Sequence, residues 1–189
     1  MIFAGYNPLT SSDEQYTPAY AVTPIVKYIP KNKVIWCPFD TEHSEFVLAL
    51  KTAGFIVIHS HISVGQDFFE YEPENWDLIV SNPPFSIKQR IVERCLDLGK
   101  PFALLLSNLW LNSSAPMRLF KEKEMQMLLF DKRIQFTEKN AAYFGSSYFC
   151  FGLLPKQIIF EGLENTKYQR SRMHEDIQNL IAPLVKYRK

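Results

Sequence analysis

The sequence predicts an α/β fold: a doubly wound, mostly parallel sheet with one antiparallel strand. Three observations predict it. Short apolar runs, Val34-Ile35-Trp36-Cys37, Phe55-Ile56-Val57-Ile58 and Leu78-Ile79-Val80, have the length and the β-branched character of buried strands. After the first and the third of these runs lie segments whose apolar residues recur at helical spacing, closed by glycine or proline. Near the end, Met125 to Phe130 and Tyr148 to Leu154 flank a polar stretch and read as a strand and its return partner. Alternation of strand and helix gives a parallel sheet, and the return adds the antiparallel strand.

The elements follow in order. Residues 1–16 are polar and read as partly extended. Thr17 is placed to cap a helix with Pro18 at its first position. That helix is expected to break near Pro24 and to end by Pro30. Lys33 to Phe39 is the first strand and its exit, followed by the loop Asp40-Thr41-Glu42-His43. Ser44 caps a helix with Phe46, Val47, Leu50 and Ala53 on its apolar side, and Gly54 closes it. After the second strand, Asp67 is a natural turn or helix cap. Ser86 is placed to cap a helix carrying Ile87, Ile91, Cys95 and Leu98, which Gly99 and Pro101 stop. Pro101 to Leu106 is a fully apolar central strand, and Pro116 opens a short helix through Leu119 and Phe120. Thr137 to Ser147, polar and tipped with Tyr143-Phe144-Gly145, links the last two strands. Over about 167–189, Ile177, Leu180, Ile181 and Leu184 recur at helical spacing, so a helix is expected to dock there despite Pro183.

The totals bound the possibilities. A chain of 189 residues suits one domain, here 1–189, with its core over about 15–155 and a helical extension over about 165–189. A net charge of +1 gives no global pull toward nucleic acid, so any such contact needs a local patch. Lysine and arginine gather toward the end, at Lys156, Lys167, Arg170, Arg172, Lys186, Arg188 and Lys189. Cys37, Cys95 and Cys150 are too scattered for a disulfide framework and read as buried thiols, which fits a cytoplasmic protein. His59 and His61, spaced by one, face opposite sides of an extended strand and form no metal site. No signal peptide and no membrane span is expected.

The chemistry concentrates where the third strand ends, in Asn82-Pro83-Pro84-Phe85. Neither proline donates a backbone N–H and both fix φ, so the strand stops in a stiff turn. Open α/β sheets bind ligands at the carboxyl ends of their strands. There, Asn82 Oδ1 and the Pro83 carbonyl can accept both hydrogens of a planar amine, favour a pyramidal nitrogen and aim its lone pair at an electrophile. Phe85 can stack on an extruded base.

That turn resembles the Asn/Asp-Pro-Pro-Phe/Tyr motif of S-adenosylmethionine-dependent amino-methyltransferases, mainly the N6-adenine DNA enzymes. Two further stretches resemble the family in the same order, Tyr16-Thr17-Pro18 and Asp67-Phe68. The likeness covers roughly residues 15–155 and is especially close to small adenine-methyltransferase-like proteins of bacterial phages and prophages. It implies a Rossmann-like methyltransferase fold, S-adenosylmethionine as cofactor and DNA as partner. Tyr16, Thr17 and Pro18 would touch the methionine end of the cofactor. Asp67 and Phe68 would read its adenine. Pro38, Phe39 and Asp40 would form the first loop, and Asn82 would border the cofactor as well as the acceptor. Phe85, with Phe136, Tyr143 or Phe144, would pack on the acceptor base. Lys88, in the first turn of its helix, opposes the helix dipole and is a candidate phosphate contact.

The sequence also departs from the family. No glycine occurs between Gly5 and Gly54, so the first loop lacks the residues that let backbone approach the cofactor. The acidic ribose ligand after the second strand is replaced by His59-Ser60-His61, leaving Asp40 or Glu42 as substitutes. Two other functions therefore stand beside DNA adenine methylation: the same chemistry on RNA adenine or a protein amide, and a non-catalytic relative that binds or inhibits a nucleic-acid enzyme. A core without a recognition domain invites a homodimer or a borrowed partner.

Overall fold

The computed structural model describes residues 17–136 and 144–163. Seven strands form one sheet: β1 (Val34–Cys37), β2 (Ile56–His59), β3 (Leu78–Ser81), β4 (Phe102–Ser107), β5 (Gln126–Phe130), β6 (Ser146–Phe151) and β7 (Ile158–Glu161). Their spatial order is β2-β1-β3-β4-β6-β5-β7. Every pairing is parallel except those of β6, which runs antiparallel to β4 and β5. The fold is the doubly wound, mostly parallel α/β sheet with one antiparallel strand that the sequence predicts.

Strands buried on both faces need covers on both faces. On one side α1 (Ala19–Val26) and α2 (Glu45–Thr52) share an apolar cluster with Ile35, Cys37, Leu78, Val80, Leu105 and Tyr148. On the other, α3 (Lys88–Asp97) and α4 (Ala115–Leu119) pack with Trp36, Ile79, Phe102, Leu104, Leu106 and Phe149. Alternate residues of β1, β3, β4 and β6 fall into the two clusters, which is the period-two signature of strands inside a three-layer fold. All three cysteines are buried as free thiols.

Polar side chains set the alignment of β1 on β3. Asp77 accepts the Val34 N–H at 2.8 Å, its own N–H donates to the Val34 carbonyl at 2.8 Å, and Lys33 reaches its other oxygen at 3.0 Å. The Val34 N–H, with the Lys33 ammonium beside it, holds the Asp77 carboxyl below the usual carboxylate range. At the far end of the sheet, Gln126 clamps the turn after β6. Its Oε1 accepts the Leu153 and Leu154 N–H groups, and its Nε2 donates to the Leu154 carbonyl.

Ser44 caps α2 as expected, its hydroxyl accepting the Val47 N–H at 3.3 Å. Three local expectations need correction. The residue at the start of α1 is Pro18, not Thr17, and the Pro18 ring has no polar atom to cap with. Pro24 does not break α1, which runs on to Val26 because Ala21, Val22 and Ile25 are each fully buried in the core. Ser86 does not cap α3. A 3₁₀ turn, Phe85–Ile87, leads into that helix, whose N-cap Ile87 makes no side-chain bond. One strand, β7, was not foreseen at all. The expected C-terminal helix, the basic tail, Tyr16 and Tyr143 lie outside the described residues.

Candidate active site at the carboxyl ends of the strands

The parallel strands β1, β3 and β4 point their carboxyl ends to one edge of the sheet, and antiparallel β6 starts at that same edge. Asp40, Ser81-Asn82-Pro83-Pro84-Phe85, Ser107-Asn108 and Phe144-Gly145-Ser146 are gathered there. The β4–β6 register pairs Ser107 with Ser146, and the Asn108 N–H donates to the Gly145 carbonyl at 2.8 Å.

The turn after β3 is held from several sides. Ser81 is fully buried, and Asn82 is half-buried with its Oδ1 inside the protein. Pro83 is buried, and Pro84 is extended at φ −55 and ψ 129 before the 3₁₀ turn. Lys88 donates its Nζ to the Phe85 carbonyl at 2.8 Å, so the cation in the first turn of α3 is anchored to the turn itself. The Phe85 ring meets that of Phe144, with centroids 5.8 Å apart and planes at 72°. Residues 59 positions apart in the chain thus form one aromatic pair beside Asn82.

Asp40 closes the neighbouring side. It is 5 % exposed, and its Oδ2 accepts the Ser81 hydroxyl at 2.5 Å. Burial pushes its carboxyl up to about 6, against the opposing effect of the Ser44 and Ser81 hydroxyls. Its backbone N–H donates to the Ser60 carbonyl, the Ser60 N–H donates to the Cys37 carbonyl, and the Ser60 hydroxyl accepts from the Trp36 indole at 2.9 Å. The loop after β1 is therefore tied to the end of β2 without glycine. Pro38 is buried within it.

The remaining predicted residues separate into those near this edge and those in the core. Thr17 is buried with its hydroxyl lacking a hydrogen-bond partner, next to Pro18 at the start of α1. Asp67 accepts the Phe69 N–H at 2.9 Å and its carbonyl accepts from Glu70 and Tyr71, which is the turn-capping arrangement. Phe68 is 3 % exposed, with its ring 5.0 Å from Phe39 and 5.3 Å from Trp36 and the Arg94 guanidinium over it. Phe136 is buried in the cluster on the α1 side with Ile134 and Tyr148, whereas Phe144 meets Phe85. His61 takes the Ser63 N–H on its Nδ1, and burial lowers the pKa of both His59 and His61. Among the described residues no three metal-ligating side chains come together, and no helix is long and apolar enough to cross a membrane.

One feature escaped the sequence reading, and a second, Ser107-Asn108, was placed at the sheet edge nearest the site without a role. The Asp40–Ser81 contact joins residues 41 positions apart, and only strand order brings them together. Asn108 carried a legible signal: a polar Ser-Asn pair ends the apolar run of β4 just as Ser81-Asn82 ends β3.

No protein-family model matches the sequence, and no curated protein matches it. Solved structures align with the chain only loosely. A type I restriction-modification system methyltransferase subunit from Streptococcus thermophilus aligns at TM-score 0.44 and 12% identity, over 94% of this chain and 54% of that one. The chain thus spans about half the length of that protein. A protein from Listeria monocytogenes, titled a class I S-adenosylmethionine-dependent methyltransferase, aligns at TM-score 0.47 and 10% identity, over 94% of this chain and 72% of that one. A protein from Agrobacterium tumefaciens, titled an O-methyltransferase, aligns at TM-score 0.39 and 8% identity, over 85% of this chain and 95% of that one. With identities of 8–12% and TM-scores of 0.39–0.47, these alignments assign neither a fold nor a site to this chain.

Proposed function

We propose that this chain is an S-adenosylmethionine-dependent methyltransferase acting on a planar amine, foremost the N6 amine of adenine in DNA. One observation carries the reading. Asn82-Pro83-Pro84-Phe85 leaves a central strand at its carboxyl end, with the amide oxygen inside the protein and the Phe85 ring paired with Phe144.

The residues at this edge fit the cofactor in two respects. Thr17 offers a buried hydroxyl without a partner, and Asp40 offers a buried carboxylate suited to a cationic ligand. Tyr16, Pro18, Pro38, Phe39, Asp67 and Phe68 complete the proposed set, Phe68 and Phe39 acting from within the packing rather than at the surface. When bound, S-adenosylmethionine supplies a methyl group made electrophilic by the sulfonium. The chain's own task is to present the amine. Asn82 Oδ1 and the Pro83 carbonyl accept its two hydrogens, which weakens delocalisation of the lone pair into the ring. Phe85 and Phe144 hold the base by stacking, a contribution of about 1–3 kcal/mol per base. No strong base is required before transfer, because the amine proton becomes acidic once the nitrogen is alkylated.

The test is S-adenosylmethionine binding by calorimetry, followed by methyl transfer to DNA, RNA and protein with Asn82→Ala as control. Micromolar binding, with transfer to adenine lost by a factor of 100 or more in the variant on the order expected for a group acting on the transition state, supports the reading. A folded chain that binds no cofactor refutes it. The same observations that set the first loop apart, its tied Asp40 and absence of glycine, favour a second reading in that event: a non-catalytic relative that binds a nucleic-acid enzyme.

A further inference from the structure

We infer that Asn108 reads the ring edge of the acceptor base beside its amine; the inference rests on the methyltransferase reading above. Asn82 and Asn108 each follow the last residue of adjacent parallel strands, β3 and β4. Ser81 pairs with Leu104, so three residues of β4 stand beyond the end of β3. At ~3.3 Å per residue that is a step of ~10 Å. The step carries Asn108 past Asn82, to the height of the turn and its aromatic pair.

The side chain is held there by a close approach. A Cβ on Gly145 would stand 3.1 Å from Asn108 Nδ2, so the amide rests directly on the glycine backbone. The next residue back is Phe144, whose ring meets Phe85. Asn108 Oδ1 is buried and has no hydrogen-bond partner. Buried polar atoms are nearly always paired, and an exception calls for an explanation. Here the explanation is a ligand. The Asn108 Nδ2 can donate to the ring nitrogen beside the amine, while its Oδ1 shares the amine hydrogen on that side with Asn82 Oδ1 in a three-centre bond. Asn82 and Pro83 hold the amine for reaction, and Asn108 sets the orientation of the ring behind it. Asn108 is a specificity residue for an amino-substituted base; a glutamine side chain, with no ring nitrogen, gains nothing from it.

The experiment compares methylation of oligonucleotides carrying adenine, 7-deazaadenine or 1-deazaadenine by the full chain and by Asn108→Ala and Gly145→Ala. The wild-type chain is expected to lose about tenfold or more in kcat/KM on the one analogue that lacks the contacted ring nitrogen. Asn108→Ala should lose a similar factor on adenine and treat adenine and that analogue alike, with cofactor affinity unchanged. Gly145→Ala keeps the amide but displaces it, and should blunt the same discrimination even if Asn108→Ala fails to fold. Discrimination that survives in the variants, or a wild-type chain indifferent to both analogues, overturns this inference and leaves the methyltransferase reading standing. A wild-type chain that methylates no adenine overturns this inference, and one that also binds no S-adenosylmethionine overturns both.

Discussion

The Phe144 ring meets the Phe85 ring edge-on, 5.8 Å between centroids, across a gap of 59 residues in sequence. Phe85 belongs to a turn stiffened by two prolines, while Phe144 enters from the start of the antiparallel strand. An aromatic pair built this way is set by the sheet rather than by either loop alone. Truncating one ring removes a stacking surface without changing Asn82. Phe144→Ala is therefore expected to raise the acceptor KM by about tenfold or more, in line with a stacking contribution of ~1–3 kcal/mol. Cofactor affinity should stay within a factor of two. An equal loss of cofactor binding in calorimetry would mean that the pair supports the fold instead.

Lys88 was a candidate phosphate contact in sequence, and its ammonium donates to the Phe85 carbonyl. The two roles differ in their response to salt. Removing a phosphate contact lowers the slope of log affinity against log salt by about one. Lys88→Met is expected to leave that slope unchanged and to lower kcat severalfold, because the turn that presents Phe85 loses its anchor. A reduced slope with unchanged kcat returns Lys88 to the phosphate.

How much of this was legible follows from which contacts are local. The strands β1 to β6 announced themselves because each is an apolar run with breakers at its ends. The edge strand β7 was missed although Ile158-Ile159-Phe160 is an apolar run as long as that of β3; in the structure Ile158 and Phe160 are exposed, so its apolar residues mark an edge and not a core strand. Asn82-Pro83-Pro84-Phe85 is contiguous and could be read directly. Asp40 with Ser81, and Phe85 with Phe144, are assembled by strand order, so sequence offered the residues without the pairings. Phe136 and Phe144 were indistinguishable as aromatic residues flanking one loop. Strand pairing separates them, burying Phe136 beside α1 and leaving Phe144 at the site edge.

Phe68 illustrates a residue whose structural role is large enough to mask any other. It is 3 % exposed and packed between Trp36, Phe39 and Phe69. Phe68→Ala is expected to destabilise the chain by about 3–5 kcal/mol, the range for a buried phenylalanine. Denaturant unfolding measures it directly. Phe68→Leu keeps most of the volume, so it should restore much of the stability. If Phe68 also supports the cofactor's adenine, that variant will bind S-adenosylmethionine several times more weakly at temperatures where it is fully folded.

Asp40 gives the clearest dependence on pH. Its carboxyl titrates at about 6 in the folded chain, raised from 3.8 chiefly by burial. The folded chain therefore holds the proton more tightly than the unfolded chain does. The associated stability is complete below the unfolded value and is lost as pH rises through about 6. The gap corresponds to an upper bound of ~3 kcal/mol at neutral pH. Asp40→Asn keeps a neutral side chain that can still accept the Ser81 hydroxyl at every pH. Its advantage over the wild-type chain should be near zero at pH 4 and reach its full value by pH 7.5, measured as the difference between denaturant midpoints. A cationic ligand beside Asp40 reverses the preference, since it stabilises the ionised form. At pH 6, S-adenosylmethionine binding to the wild-type chain should then release a fraction of a proton, visible as a binding enthalpy that changes with the ionisation enthalpy of the buffer. That dependence should vanish at pH 8 and in Asp40→Asn. A gain in stability for Asp40→Asn without proton release on binding would place the carboxylate in the fold alone, away from the cofactor.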